Sequence, residues 1–163
     1  MKHILFVCTG NTCRSPMAEG ILKSMIMKDD VLSENFSVSS AGIYACDGEP
    51  ASRQSVEALN KKWGINIKSH QAKRIREADI KNAYLILTMT KEHKTSITAL
   101  FPEAEGKTYT LKEYVLGQHE ISDGKHRDIS DPYGYPEYVY GICADEIKLA
   151  VENLVRKLRK SAL

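Results

Sequence analysis

No Cys-x-x-Cys pair occurs in this sequence: its four cysteines stand singly at 8, 13, 46 and 143. That spacing suggests neither a tetrahedral zinc site nor a disulfide framework. Long apolar runs are also absent. Met1-Lys2-His3 is followed by only five apolar or small residues, Ile4 to Cys8, too short for the core of a secretion signal and far too short for a bilayer span. A cytoplasmic chain without a membrane partner is therefore expected, with its cysteines as thiols. Neither charge sign is in excess, with 23 Lys and Arg against 21 Asp and Glu and a net charge of +2, so nothing supports a nucleic-acid surface. There is no internal repeat and no low-complexity segment. Over 163 residues one domain, 1–163, is expected, acting as a monomer, and partner choice must come from a site.

What is present alternates strands with helices. Ile4-Leu5-Phe6-Val7 is an uninterrupted apolar run of the kind that suits a parallel strand covered on both faces. Pro16 suits the first position of a helix, and Met17, Ile21 and Met25 recur every four residues, predicting a helix over 16–28. Phe36 to Ser39 alternates as a strand, and Val56, Leu59 and Trp63 form a helical stripe. Tyr84 to Leu87 is a further buried strand, Thr90 is a candidate N-cap for a helix to about Leu100, and Lys107-Thr108-Tyr109 is a short strand. Residues 117–136 read as an exposed loop, and Cys143, Ile147, Ala150, Leu154 and Leu158 stripe a last helix. The order predicts an α/β domain: a parallel sheet with helices on both faces.

In open α/β sheets ligands sit beyond the carboxyl ends of the strands, and Cys8 ends the first strand. From Cys8 through Thr9, Gly10, Asn11, Thr12 and Cys13 to Arg14 and Ser15, five residues separate a cysteine from an arginine just before a helix. Backbone N–H groups of such a loop and of the helix N-terminus favour a bound dianion. Gly10 is expected to supply backbone angles that other residues resist, and Arg14 a bidentate grip on phosphate oxygens. The same positive surroundings favour the thiolate of Cys8, the form that attacks, and Ser15 can donate a hydrogen bond to it. Asn11 is expected to hold the loop's shape. A buried structural cysteine among turn residues is the plain alternative. A Walker-type nucleotide loop is excluded, since the segment has no Gly-Lys-Ser/Thr ending.

Expelling an oxygen leaving group needs a proton, usually from a carboxylic acid above the phosphate. Asp131 precedes Pro132, which holds its backbone extended; Asp128 and Asp123 are rivals, and spacing alone leaves the choice open.

Val7-Cys8-Thr9-Gly10-Asn11-Thr12-Cys13-Arg14-Ser15-Pro16, with Asp131-Pro132-Tyr133 ahead of the final helix, resembles the low-molecular-weight protein tyrosine phosphatases. Weaker echoes are Ser40-Ala41-Gly42 after the second strand, His70 followed by Ala72 and Arg74, and Leu87-Thr88-Met89-Thr90 after the third. The resemblance implies a four-stranded parallel sheet, Cys8 as the nucleophile of a phosphocysteine intermediate, Arg14 binding the phosphoryl group, and Asp131 as acid and then base. It also implies that Asn11, Ser15, Ser40 and His70 form the network that sets the loop, and that neither metal nor cofactor is needed. By the same resemblance Cys13 can trap oxidised Cys8 as a disulfide, making peroxide inactivation reversible. Cys143 reads as core, and Cys46 has no evident role.

Phosphotyrosine and phosphoarginine both suit a phosphocysteine route. Thr12, where tyrosine-selective relatives commonly carry Ile, resembles the bacterial protein arginine phosphatases, as does Thr110-Leu111-Lys112-Glu113-Tyr114-Val115. A hydroxyl can hydrogen-bond a guanidinium where an aliphatic side chain cannot, so phosphoarginine on a protein is the preferred substrate. Tyr133, Tyr135, Tyr138 and Tyr140 cluster near the acid. Tyr133 is expected in the pocket wall, the others there or in packing. A thioredoxin-linked arsenate reductase would need further cysteines, and Asn82 to Thr98 contains none. A phosphate-binding module without turnover remains the non-enzyme reading, which loss of hydrolysis in Cys8→Ser would exclude.

Overall fold

Successive side chains of a strand leave opposite faces of the sheet, and in the first strand both directions are apolar. β1 (Lys2–Cys8) sends Ile4, Phe6 and Cys8 into one core cluster and Leu5 and Val7 into another. A strand so covered must lie inside a sheet. In the computed structural model, which describes residues 1–116 and 128–162, β1 pairs in parallel with β2 (Phe36–Gly42) on one side and β3 (Leu85–Thr88) on the other. β4 (Thr108–Thr110) completes a four-stranded parallel sheet in the order β2-β1-β3-β4. The chain leaves β1 towards β2 and then returns past it to β3, so the crevice above β1 is the switch point at which α/β sheets hold ligands.

On the face of Phe6 lie α1 (Arg14–Ile26), the one-and-a-half-turn α2 (Asp30–Asn35), α3 (Arg53–Trp63) and the later helices α6 (Leu111–Leu116) and α7 (Glu137–Ala162). All five residues of the expected last stripe are buried: Cys143, Ile147, Ala150, Leu154 and Leu158. On the face of Leu5 lie α4 (Glu77–Asn82), α5 (Lys91–Leu100) and a 3-10 turn, Pro102–Lys107, through Ile80, Ile97 and Ala104. Thr90 caps α5 as expected, accepting the His93 N–H. No helix among the described residues is long and apolar enough to cross a membrane.

Several boundaries differ from those the sequence suggests. The first helix begins at Arg14, two residues before Pro16, so the loop's last residues belong to the helix's first turn. Ser40-Ala41-Gly42 does not come after the second strand but ends it, because pairing with β1 continues to Cys8 opposite Gly42. Tyr84 stands outside β3 and is exposed. Asp123, and residues 117–127 of the expected loop, lie outside the described residues.

Gly42 is the point at which β2 meets the loop leaving β1. A Cβ there would stand 2.6 Å from the carbonyl oxygen of Thr9 and 2.9 Å from the amide nitrogen of Asn11, both backbone atoms that no rotamer change can move aside. Gly42→Ala is therefore expected to cost about 1–3 kcal/mol of stability, as overpacking does, and to lower turnover in the molecules that still fold. Urea unfolding with kcat/KM on an aryl phosphate checks both, and unchanged kinetics would contradict the close approach.

Candidate active site

The loop after β1 is pinned by its carbonyls. Thr9 O accepts the Tyr44 N–H at 2.9 Å, Thr12 O the Ser52 N–H at 2.8 Å, and Asn11 O bonds His70 Nε2 at 2.7 Å, which assigns that ring proton to Nε2. None of these bonds uses an N–H of residues 10–13. Those groups, at the head of α1, are the natural partners of an anion.

The tight turn is made at Asn11, not at Gly10. Asn11 has φ 57°, in the left-handed region that asparagine tolerates, whereas Gly10 lies outside that region and a Cβ on it would make only ordinary contact. Asn11 is wholly buried and its amide is fully used. Nδ2 donates to Ser15 Oγ at 2.8 Å and Ser40 Oγ at 2.9 Å, and Oδ1 accepts the Lys73 N–H at 2.9 Å. Because Ser15 Oγ accepts from Asn11, its own proton is available to Cys8 Sγ, 2.8 Å away. Ser40 in turn donates to Glu19 Oε2 at 2.5 Å, and His70 Nδ1 stands 3.7 Å from the same oxygen. The four expected network residues thus meet, with Glu19 as a fifth. Glu19 lies one turn after Ser15 on α1 with its side chain largely buried, and its contacts with Ser40 and His70 are made by tertiary packing, so no local sequence signal reveals it.

Arg14 is 5% exposed. It donates to Ile129 O at 3.0 Å, and its other terminal nitrogen lies 3.4 Å from Asp131 Oδ2. The loop from β1 and the segment before α7 are therefore brought together at the arginine. Asp131 is half exposed, and its Oδ1 accepts the Tyr133 N–H at 3.1 Å. Asp128 is engaged elsewhere, accepting the Lys91 N–H at 2.8 Å at the start of α5. Cys143 donates to Ser130 O at 3.6 Å, and burial, followed by the nearby Glu146, pushes its thiol up to about 12. The four tyrosines divide: Tyr140 is buried beneath Cys13, its hydroxyl 3.8 Å from Cys13 Sγ, while Tyr133, Tyr135 and Tyr138 are exposed. Cys46 is exposed, and all four cysteines are free thiols.

His93 is the residue that sequence reasoning misses altogether. It is 6% exposed, its Nε2 lies 2.8 Å from Thr9 Oγ1, and its buried Nδ1 has no partner among the described residues. Burial first, and then the Arg14 charge, depress it to about 4, against weaker opposition from Asp128 and Asp131.

A sheet of this order, with a cysteine loop on its central strand and an arginine that reaches an aspartate from the far end of the chain, defines a cysteine-dependent phosphatase. Residues 3–163 match the sequence profile of the low molecular weight phosphotyrosine protein phosphatases, and the chain belongs to that family. A protein-arginine-phosphatase of Geobacillus stearothermophilus is 40% identical over 157 residues, 96% of each chain. The low molecular weight protein-tyrosine-phosphatase PtpB of Staphylococcus epidermidis is 35% identical over 156 residues, again 96% of each. Among solved structures, the low molecular weight protein tyrosine phosphatase of T. tengcongensis superposes with a TM-score of 0.84 at 43% identity, covering 96% of this chain and 99% of its own. An arginine phosphatase with a phosphorylated active-site serine in place of cysteine superposes at 0.86 with 37% identity, over 97% of this chain and 96% of its own.

Asn11→Ala strips the amide from Ser15, Ser40 and the Lys73 N–H and leaves alanine in a left-handed conformation; at about 1–3 kcal/mol for a buried partner left unpaired, kcat/KM on an aryl phosphate should fall about tenfold or more. A second expectation concerns pH. An unfolded histidine takes up a proton near 6.5 and His93 in the fold only near 4. Between those values the unfolded chain therefore binds the extra proton and the fold loses stability as pH falls. In His93→Asn the stability-versus-pH slope across that window should flatten by up to one proton, about 1.4 kcal/mol per pH unit. Parallel slopes in the two proteins would contradict the assignment.

Proposed function

We propose that the whole chain acts as one phosphatase domain that hydrolyses phosphoarginine on proteins through a phosphocysteine at Cys8. The 3.4 Å approach of Arg14 to Asp131 carries the reading, because it supports a phosphate grip and a proton-transfer group converging on one nucleophile. In the first step Cys8 Sγ forms a bond to phosphorus while the P–N bond breaks. The departing guanidine nitrogen takes its proton from Asp131. In the second step the Asp131 carboxylate accepts a proton from water, the new O–P bond forms, the S–P bond breaks, and phosphate leaves a regenerated thiolate. The phosphoryl oxygens lie between Arg14 and the N–H groups of Thr9 to Ser15, donors that act on charge as it develops. Ser15 hydrogen-bonds the thiolate both as it waits and as it leaves. The solved relative, in which a serine replacing a cysteine of the active site is phosphorylated, supports a phosphoryl group carried on the nucleophile.

Thr12 supports the choice of substrate. It is half-buried within the loop, and among the described residues its hydroxyl makes only a long contact, 3.8 Å, to Cys13 Sγ. That leaves it available to a guanidinium N–H. Tyr133, 76% exposed beside Asp131, offers an aromatic face to the guanidinium plane. The arginine-phosphatase relative supports the same branch, while the tyrosine-phosphatase relative supports phosphotyrosine as the second reading. A phosphoarginine and a phosphotyrosine peptide, compared by kcat/KM with Cys8→Ser as the blank, decide between them. Phosphoarginine should be preferred, and Thr12→Ile should lower its hydrolysis about tenfold, the effect of losing roughly one hydrogen bond to a charged group, while sparing phosphotyrosine. Unchanged selectivity would remove Thr12 from the account.

A further inference from the structure

A second opening shares no residue with the loop 8–15 or the segment 128–133. It is a pocket of about 800 Å3 between α1, the end of β2 and the segment 63–71, a volume within the range of small-molecule sites. Trp63 and Ile65 line it together with Lys23, Lys28 and Lys73. Lys23 is paired with Glu19 and Lys73 with Asp79, both at 2.6 Å; Lys28 has no partner among the described residues. An apolar wall under an excess of positive charge fits an anion with an apolar body.

The floor of this pocket is the support of the cysteine loop. Glu19, Ser40 and His70 all line it. From there an unbroken run of hydrogen bonds leads to the nucleophile: Lys23 Nζ to Glu19 at 2.6 Å, Ser40 to Glu19 at 2.5 Å, Asn11 to Ser40 at 2.9 Å, Asn11 to Ser15 at 2.8 Å, and Ser15 to Cys8 at 2.8 Å. His70 gives a second path, from Glu19 to the carbonyl of Asn11. We propose that this pocket is a binding site for a small organic anion, and that its occupancy alters the reactivity of the Cys8 loop through Glu19. An anion seated among the lysines competes with Glu19 for Lys23. The carboxylate then turns its charge towards Ser40 and His70, two of the groups that hold Asn11 in its left-handed turn.

Trp63 is the sole tryptophan of the chain and forms part of the wall, so occupancy can be read directly. The probe is 1-anilinonaphthalene-8-sulfonate, titrated into the full chain while energy transfer from Trp63 and phosphate release from phenyl phosphate are both monitored. Expected are saturable transfer that persists under saturating inorganic phosphate, weakening of binding about tenfold in Lys28→Glu, and a change in kcat/KM of about fivefold or more at saturation, the usual size of coupling between sites. In Glu19→Gln, or in Lys23→Gln if that variant does not fold, the probe should still bind but no longer shift kcat/KM. Transfer that does not saturate, that Lys28→Glu leaves unchanged, or that phosphate abolishes would overturn the site. Binding without kinetic effect would overturn the coupling. The fluorescence arm stands whether or not Cys8 turns over.

Discussion

The amide of Asn11 is the joint on which the rest depends. One buried side chain in a left-handed turn ties the first turn of α1 at Ser15 to β2 at Ser40 and to the segment at Lys73, while His70 holds its carbonyl. Buried polar groups of this kind leave little tolerance, since each unpaired donor or acceptor in a low-dielectric interior is costly. The network is complete, with Glu19 accepting the last proton from Ser40. Its completeness is what lets eight residues, Cys8 to Ser15, keep one shape around a guest that is present only part of the time.

The second arm of the site hangs on a different support. Ile129 N–H bonds Met89 O at 2.8 Å, Asp128 bonds the first turn of α5, Arg14 holds Ile129 O, and Cys143 reaches Ser130 O. The turn between β3 and α5 therefore carries the aspartate segment on one side. Through His93, in the first turn of α5, the same region also touches the cysteine loop on the other. Two pieces more than a hundred residues apart in sequence share one rigid mount above the carboxyl ends of the strands.

Much of this is legible in the sequence. Apolar runs reveal β1 and β3 because a strand covered on both faces needs no alternation, and a five-point stripe reveals α7 because only a helix turns such a spacing onto one face. Cys8 and Arg14 are readable from local spacing, whereas Asp131 is separated from Asp128 and Asp123 only by the family resemblance. Short helices are not: α2 and α6 are each six residues long, below the length at which periodicity speaks. The signals available there are caps, Asp29 accepting Leu32 N–H, and Thr110 with Glu113 closing a reciprocal capping box. Glu19 and His93 are hidden for another reason, since their partners are created by tertiary packing. Gly10 misleads because glycine is the habitual left-handed residue, yet a buried asparagine does that work here and adds three hydrogen bonds of its own.

The way Thr12 is held bears on how such a protein changes over generations. Ser52 grips it by its main-chain oxygen, a feature every amino acid possesses. This bond thus makes no demand on the side chain at that position. A change of side chain there leaves this main-chain support of the loop in place. Descendants of one gene can therefore differ at that codon while inheriting the same loop.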